Sequence, residues 1–131
     1  MIKNIVYAVI ALPLAAFFGF VGYHKACSSM AELALHGAYT AHLPEWIGRA
    51  AGWAEIAAAL ALIAGIMPKW RGGVTTAAVF IVLSQIVSSI IHYQHGEMGP
   101  LPQNAVLALA AMALTYLAGF SKPRTAIQAT N

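Results

Sequence analysis

Four long apolar segments constrain what this chain can fold into. Each contains about the 20 residues that a helix needs to cross a ~30 Å hydrocarbon layer. Of the 131 residues, 60% are hydrophobic and only 8% are charged, whereas roughly a quarter of the residues in a soluble domain are charged. The sequence therefore predicts an all-α integral membrane four-helix bundle formed by a single transmembrane domain over residues 1–131. The predicted spans are residues 4–22, 48–67, 74–92 and 104–120.

The connection between the first two predicted spans is long and amphipathic. It runs from Tyr23 to Ile47 and mixes apolar side chains with histidines and glutamates. This connection is too polar to cross the bilayer and too apolar for a free loop, which indicates a short helix in the membrane interface and then a turn at Leu43-Pro44. A disordered loop is the alternative. Within the first span, Pro13 is expected to kink the helix unless neighbouring groups satisfy the carbonyl that it leaves without a hydrogen bond.

Lysine and arginine are distributed unequally between the two predicted sides of the membrane. One side has five of these cations, namely Lys3, Lys69, Arg71, Lys122 and Arg124. The other side has two, Lys25 and Arg49. The positive-inside rule then predicts that both termini are cytoplasmic and, if the protein is bacterial, that it lies in the inner (cytoplasmic) membrane. Because the cations are scattered and follow this rule, the formal net charge of +3 does not predict a nucleic-acid partner.

The N-terminal segment and the single cysteine limit two further interpretations. The first apolar run resembles a signal peptide, but no A-x-A site follows it, and His24 and Lys25 before Cys27 do not fit a lipobox. A retained first helix is therefore expected. One cysteine cannot form an internal disulfide, and the sequence has no C-x-x-C motif. A redox role would need a bound cofactor or a partner protein.

Glu55 is the most unusual residue because it lies inside an apolar span. A carboxylate in hydrocarbon costs a few kcal/mol or more, so it is expected to have a polar partner. One interpretation is structural: Glu55 pairs with Lys25, or accepts a hydrogen bond from Gln85 or Asn104, and holds the helices in register. The other interpretation is a site at which Glu55 exchanges a proton.

Helical periodicity brings further polar residues to the same end of the bundle. Gln85, Ser88 or Ser89, and His92 recur at intervals of three to four residues, which places them on one face of the third span. A small and polar stripe on the fourth span begins at Asn104. These groups can share one pocket that opens in the outer leaflet. The candidate ligand-binding residues are Lys25, Glu55, Gln85, His92 and Asn104.

A metal site is an alternative at the outer end, where all five histidines are predicted to lie. His92-x-x-His95 would place two imidazoles on adjacent turns if the helix continues past Tyr93. The candidate metal ligands are His24, His92 and His95, with Glu97, His36 or Glu55 able to complete a set. The spacing is common by chance, and no tight Cys/His motif accompanies it.

Several short motifs across the chain resemble the DoxX-like family of small four-helix membrane proteins. They are Phe18-x-x-x-Gly22-x-x-Lys25, Gly52-x-x-Glu55, Gly65 before a basic turn, His92 late in the third span, and Asn104 opening the fourth. The resemblance implies a four-helix bundle with recurrent polar positions at Lys25, Glu55, His92 and Asn104. It also implies association with membrane oxidoreductases, including a quinone-reducing thiosulfate enzyme, with stress responses, or with receptor assembly in animals. The single cysteine departs from the redox-active members.

Three functions are consistent with these features. The first is a small membrane subunit of an oxidoreductase system that offers a quinone or similar amphipathic molecule a pocket in the outer leaflet. The second is a non-enzymatic assembly factor that presents its interfacial loop, the Gly48-Gly52 pair and its Ala-rich fourth span to a protein partner or to a second copy. The third is transport of a metal or small solute. The sequence does not decide whether the chain is an enzyme.

Overall fold

The computed structural model describes residues 1–119, which are helical apart from short connections. The α-helices are α1 (Ile2–Cys27), α2 (Met30–Leu35), α3 (Glu45–Ala64), α4 (Gly72–Gln94) and α5 (Leu101–Gly119). Two 3₁₀ turns, Tyr39–His42 and Pro68–Trp70, precede α3 and α4. The helices α1, α3, α4 and α5 are long and apolar enough to cross a membrane. The predicted all-α membrane four-helix bundle is therefore confirmed, and the protein is an integral membrane protein.

The four long helices correspond to the predicted spans, but their bounds differ. The first helix continues through Pro13 and ends at Cys27, five residues later than predicted, so Lys25 lies within its last turn. The second long helix, α3, ends at Ala64, earlier than predicted, because the chain turns before Pro68. The predicted end of the last span at Phe120 and the tail cations Lys122 and Arg124 lie outside the described residues.

The short helix α2 confirms that the long connection is structured. Its N-terminus is capped by Ser29, whose hydroxyl accepts a hydrogen bond from the Glu32 N–H at 3.2 Å. Gly37 follows its C-terminus, and the φ of +65° at this glycine permits a left-handed turn in which the Ala38 N–H donates to the Leu33 carbonyl at 2.9 Å. This turn directs the chain back over the bundle. The location of α2 in the membrane interface stays a prediction.

The bundle consists of two closely packed helix pairs. Helix α1 packs mainly against α3, and α4 packs mainly against α5, while contacts of α3 with α4 and of α1 with α5 join the pairs. The core between them contains Ala11, Leu14, Leu62, Ala78, Ile81 and Leu114. Large apolar side chains are also exposed on the outer faces, including Leu60, Val106, Leu109 and Met112. These faces are suited to contact with lipid tails.

Gly22 and Gly52 allow α1 and α3 to approach closely near Lys25 and Glu55. A Cβ atom on Gly22 would lie 2.7 Å from the Gly52 carbonyl oxygen, and a Cβ on Gly52 would lie 2.6 Å from the Ala26 backbone nitrogen. The pair therefore acts between two helices of the same chain. Gly48, the other member of the predicted Gly48-Gly52 pair, packs against Thr40 in the connection.

Arg71 forms a second polar cluster at the opposite end of the bundle. Its guanidinium donates to the Gly65 carbonyl at 3.1 Å and to Asn4 Oδ1 at 2.8 Å, and it lies 4.9 Å from the centroid of the Tyr7 ring. Only 6% of the residue is exposed. Arg71 thus joins α1 to the turn between α3 and α4, in addition to the topological role predicted for its charge.

We expect Tyr7→Phe to lower the free energy of unfolding by about 0.5–1.5 kcal/mol, the range for a hydrogen bond between membrane helices. The buried Tyr7 hydroxyl donates to the Leu62 carbonyl at 2.9 Å, whereas the ring itself would be retained. The measurement is unfolding in mixed micelles titrated with SDS. Tyr93→Phe is the matched control, because Tyr93 is 64% exposed, and an equal loss in both variants would contradict this role for Tyr7.

Candidate functional site

A cavity of about 560 Å³ lies at the end of the bundle that contains Lys25, His92 and Asn104, between α1, α4 and α5 and beside the connection that contains α2. Its volume is within the range of small-molecule pockets. Much of its wall is apolar and aromatic, formed by Phe17, Phe18, Phe20, Val21, Leu33 and Tyr39. Such a wall suits the flat or hydrocarbon part of an amphipathic ligand.

Four of the five predicted ligand-binding residues line this cavity. They are Lys25, Gln85, His92 and Asn104, and each is at most 6% exposed. The side chain of Gln85 makes no hydrogen bond to another described residue, so its amide is available to a ligand. The fifth predicted residue, Glu55, is not among the lining residues and lies behind Lys25, fully buried.

Lys25 and Glu55 form a buried ion pair between α1 and α3. Lys25 Nζ lies 2.6 Å from Glu55 Oε1, and the Ser84 hydroxyl donates to the same oxygen at 3.2 Å. The close approach of Gly22 and Gly52 accounts for this contact, because each charged residue follows its glycine by one turn on the same helix face. Lys25 is therefore the partner of Glu55, and the sequence had left this choice open between Lys25, Gln85 and Asn104.

One oxygen of the Glu55 carboxylate has no hydrogen-bond partner within residues 1–119. This atom is Oε2, and it is fully inaccessible to solvent. A buried acceptor without a partner costs free energy, and the cost is greater when the group is charged. The arrangement therefore combines a structural contact at Oε1 with an unsatisfied atom at Oε2.

Tyr39 contributes to both the ion pair and the cavity. The Lys25 Nζ atom lies 4.5 Å from the centroid of the Tyr39 ring, within the range of a cation–π contact. The pKa of Tyr39 is raised to about 12, first by burial and then by the negative charge of Glu55, while a hydrogen bond with Ser84 has the opposite effect. Tyr39 therefore remains a neutral phenol at physiological pH.

Asn104 connects α5 to α4 in the wall of the cavity. Its Nδ2 atom donates to Ser88 Oγ at 3.0 Å and to Ser89 Oγ at 3.2 Å. Ser88, a member of the predicted polar stripe on α4, is thus at the contact with α5, and Gln85, Ser88 and His92 are all buried. Because Nδ2 is occupied twice, the Oδ1 oxygen of Asn104 is the part left for other contacts.

His92 and Glu97 form a close pair at the C-terminal end of α4. His92 Nδ1 lies 2.6 Å from Glu97 Oε2. The helix ends in a Schellman turn around Gly96, whose φ is +74°, and the Glu97 N–H donates back to the His92 carbonyl at 2.8 Å. This turn brings Glu97 back beside a histidine that precedes it by five residues.

Glu97 also contacts the connection between α2 and α3. Its Oε1 atom lies 3.2 Å from His42 Nε2, and the His42 ring stacks on His95 with centroids 3.8 Å apart. The hydrogen bond from His92 is the main cause of a lowered pKa for Glu97, and the contact with His42 acts in the same direction. The carboxylate is therefore ionised at neutral pH and stays ionised to lower pH than an ordinary glutamate.

The predicted metal ligands make separate contacts. His24 Nδ1 pairs with Ser28 Oγ at 2.9 Å, His92 pairs with Glu97, and His95 Nδ1 contacts the Ile91 carbonyl at 2.8 Å. Across the described residues, no three His, Cys, Asp or Glu side chains are grouped so that they could hold a metal ion. A metal site at His24, His92 and His95 gains no support from this geometry.

Two residues of the site, Tyr39 and Ser84, were not predicted from the sequence. Ser84 lies four residues before Ser88 on the same face of α4, so helical periodicity contained a signal for it. Tyr39 lies in an irregular connection, where periodicity carries no information about which side chains face the bundle. Only the turn after α2 explains how the Tyr39 ring reaches Lys25.

Comparison with known proteins identifies one family. The model of the DoxX-like family matches residues 9–114, which is most of the chain. No curated protein and no solved structure shows a significant match. The family match includes Lys25, Glu55, Gln85, His92 and Asn104, and therefore every predicted ligand-binding residue.

Proposed function

Since the chain belongs to the DoxX-like family, we propose that it binds a quinone-like amphipathic ligand in the cavity and serves a membrane oxidoreductase system. The main support is that four polar residues, Lys25, Gln85, His92 and Asn104, share one cavity with aromatic walls. A ring with polar oxygens needs such a combination of an apolar slot and a few placed polar groups. The link to an oxidoreductase rests on the family resemblance alone.

The polar groups are distributed along the cavity rather than gathered at one point. Gln85 and His92 are seven residues apart on α4, a rise of roughly 10 Å along the helix. Lys25 is fixed beside Glu55 and Tyr39, close to Ser84. A ligand could therefore contact polar groups at more than one place along its length.

Lys25 and Glu55 have different roles in this proposal. Lys25 lines the cavity. One N–H of its ammonium group donates to Glu55, and another can donate a hydrogen bond to a ring oxygen of the ligand. Glu55 is separated from the cavity by Lys25, so it exchanges a proton through the ion pair and does not touch the ligand. The unpartnered Oε2 atom of Glu55 is a position at which such a proton could reside.

We expect Gln85→Leu to weaken binding of decylubiquinone about 5- to 10-fold, the effect of losing one hydrogen bond in a buried site. Binding is measured by equilibrium titration of the purified protein in lipid nanodiscs. Ile86→Leu is the matched control, because Ile86 is the next residue on α4 but is 49% exposed. Wild-type protein that does not bind the probe would contradict the proposal.

The two alternative functions have less support in the described residues. The Gly48-Gly52 pair, which suggested a surface for a partner protein, packs against Thr40, Gly22 and Ala26 of the same chain. Transport would require a path beyond the cavity, whereas the core of the bundle contains fully buried apolar side chains such as Leu62, Ile81 and Leu114. A protein partner or a homo-oligomer, and the predicted membrane and orientation, stay predictions.

A further inference from the structure

The His92–Glu97 pair determines which hydrogen-bonding atoms the cavity offers. Glu97 accepts hydrogen bonds but cannot donate one when ionised, and the contact with His92 lowers its pKa. In a neutral His92 the proton must then lie on Nδ1, the atom 2.6 Å from Glu97 Oε2. The other ring nitrogen, Nε2, is left as a hydrogen-bond acceptor.

The Nε2 atom of His92 is available to a ligand. The His92 side chain lines the cavity, and Nε2 makes no hydrogen bond to any residue in the described part of the chain. Unlike Glu55 Oε2, this atom is not shielded from solvent. A ligand with a hydroxyl group can satisfy this lone pair, whereas a carbonyl or ether oxygen cannot.

Asn104 presents an acceptor for a similar reason. Both hydrogens of its Nδ2 atom are used by Ser88 and Ser89, so only the Oδ1 carbonyl oxygen remains. That oxygen is likewise not shielded from solvent, and Asn104 lines the cavity. The cavity therefore offers two acceptors, one from α4 and one from α5, in addition to the donor Lys25.

We infer that the cavity, if it binds a ring-bearing amphipath as proposed above, selects the form with a free hydroxyl, a phenol or hydroquinone, over the corresponding carbonyl or ether. His92 Nε2 and Asn104 Oδ1 are the acceptors that recognise the hydroxyl. Glu97 is a positioning residue that fixes the tautomer of His92. A bound carbonyl or ether oxygen would displace water from these acceptors without donating a hydrogen bond in return, and an acceptor left unpaired in this way is unfavourable.

The inference is tested with two redox-inert probes, 2,3,5,6-tetramethylphenol and its methyl ether. Binding to the full-length protein in nanodiscs is measured at pH 8. The phenol is expected to bind about 10-fold more tightly than the ether, as expected when a buried acceptor loses its hydrogen bond. In Glu97→Gln the side-chain amide can donate to Nδ1 and move the proton to Nε2, so the preference is expected to fall to about twofold or less.

A matched control separates the tautomer from other effects at Glu97. His42→Phe removes the other contact of Glu97, at 3.2 Å, while it keeps an aromatic ring that can stack on His95, and it is expected to retain the preference for the phenol. Equal binding of both probes to the wild type would overturn the inference but leave the proposed pocket intact. Binding of neither probe, together with no binding of decylubiquinone, would overturn the proposed function itself.

Discussion

Replacing Lys25 with methionine is expected to lower the free energy of unfolding by about 3–5 kcal/mol, the cost of leaving a buried charge without its partner. Glu55 is fully buried, and its contact with Lys25 Nζ at 2.6 Å is the only ion pair it makes within residues 1–119. Without Lys25, the Ser84 hydroxyl would be the one remaining hydrogen-bond donor to the carboxylate. Unfolding in SDS-titrated mixed micelles measures the loss.

Two further variants test whether the loss arises from the unpaired charge. The double variant Lys25→Met with Glu55→Leu removes both charges and is expected to recover most of the stability. Lys69→Met also removes one lysine charge but from an exposed position, so it is expected to change the unfolding free energy by less than about 0.5 kcal/mol. A loss below about 1 kcal/mol in Lys25→Met would contradict a structural role for the pair.

Glu55→Gln, which keeps an oxygen for Lys25, should fold normally yet alter function if Glu55 exchanges a proton.

Gly52→Ala is expected to destabilise the protein by about 3 kcal/mol, at the upper end of the cost of overpacking. The added Cβ would lie 2.6 Å from both the Gly22 carbonyl oxygen and the Ala26 backbone nitrogen. Backbone atoms of two packed helices cannot yield as a flexible side chain would, so α1 and α3 must separate. That separation would also lengthen the contact between Lys25 and Glu55.

The control for Gly52→Ala is the same substitution at Gly73. Gly73 lies in the first turn of α4, and a Cβ there would meet no other atom within 4 Å. Alanine favours helix by up to about 1 kcal/mol over glycine, so Gly73→Ala is expected to be neutral or stabilising. Both variants are measured by unfolding in mixed micelles, and equal stabilities would show that the α1–α3 contact does not need a glycine.

Hydropathy was sufficient to predict the four membrane helices because a span is a local property of about 20 consecutive residues. The same holds for the polar face of α4, where Gln85, Ser88 and His92 follow from the helical period alone. The predicted bounds were less accurate at the C-terminal ends of α1 and α4. Helices α1 and α4 continue past the apolar residues into polar ones, since a helix does not need to stop where hydrophobicity does.

Contacts between elements could not be read from local patterns. Periodicity did not distinguish Lys25 from Gln85 or Asn104 as the partner of Glu55, because each lies on a different helix. The burial of Arg71 depends on Asn4 and Tyr7, residues more than 60 positions earlier in the chain. The Gly48-Gly52 spacing predicted a surface for a partner, whereas Gly52 packs against Gly22 within the same chain.

The sequence by itself determined that this protein is a membrane bundle with one carboxylate inside an apolar helix and further polar groups toward the same end. The tertiary structure decided which of those groups line the cavity and which are enclosed in the bundle. Glu55 is enclosed behind Lys25, while Lys25, Gln85, His92 and Asn104 face a common cavity. The physical reason is the close approach of α1 and α3 at Gly22 and Gly52, because a distance between two helices depends on packing and is not encoded by spacing along either one.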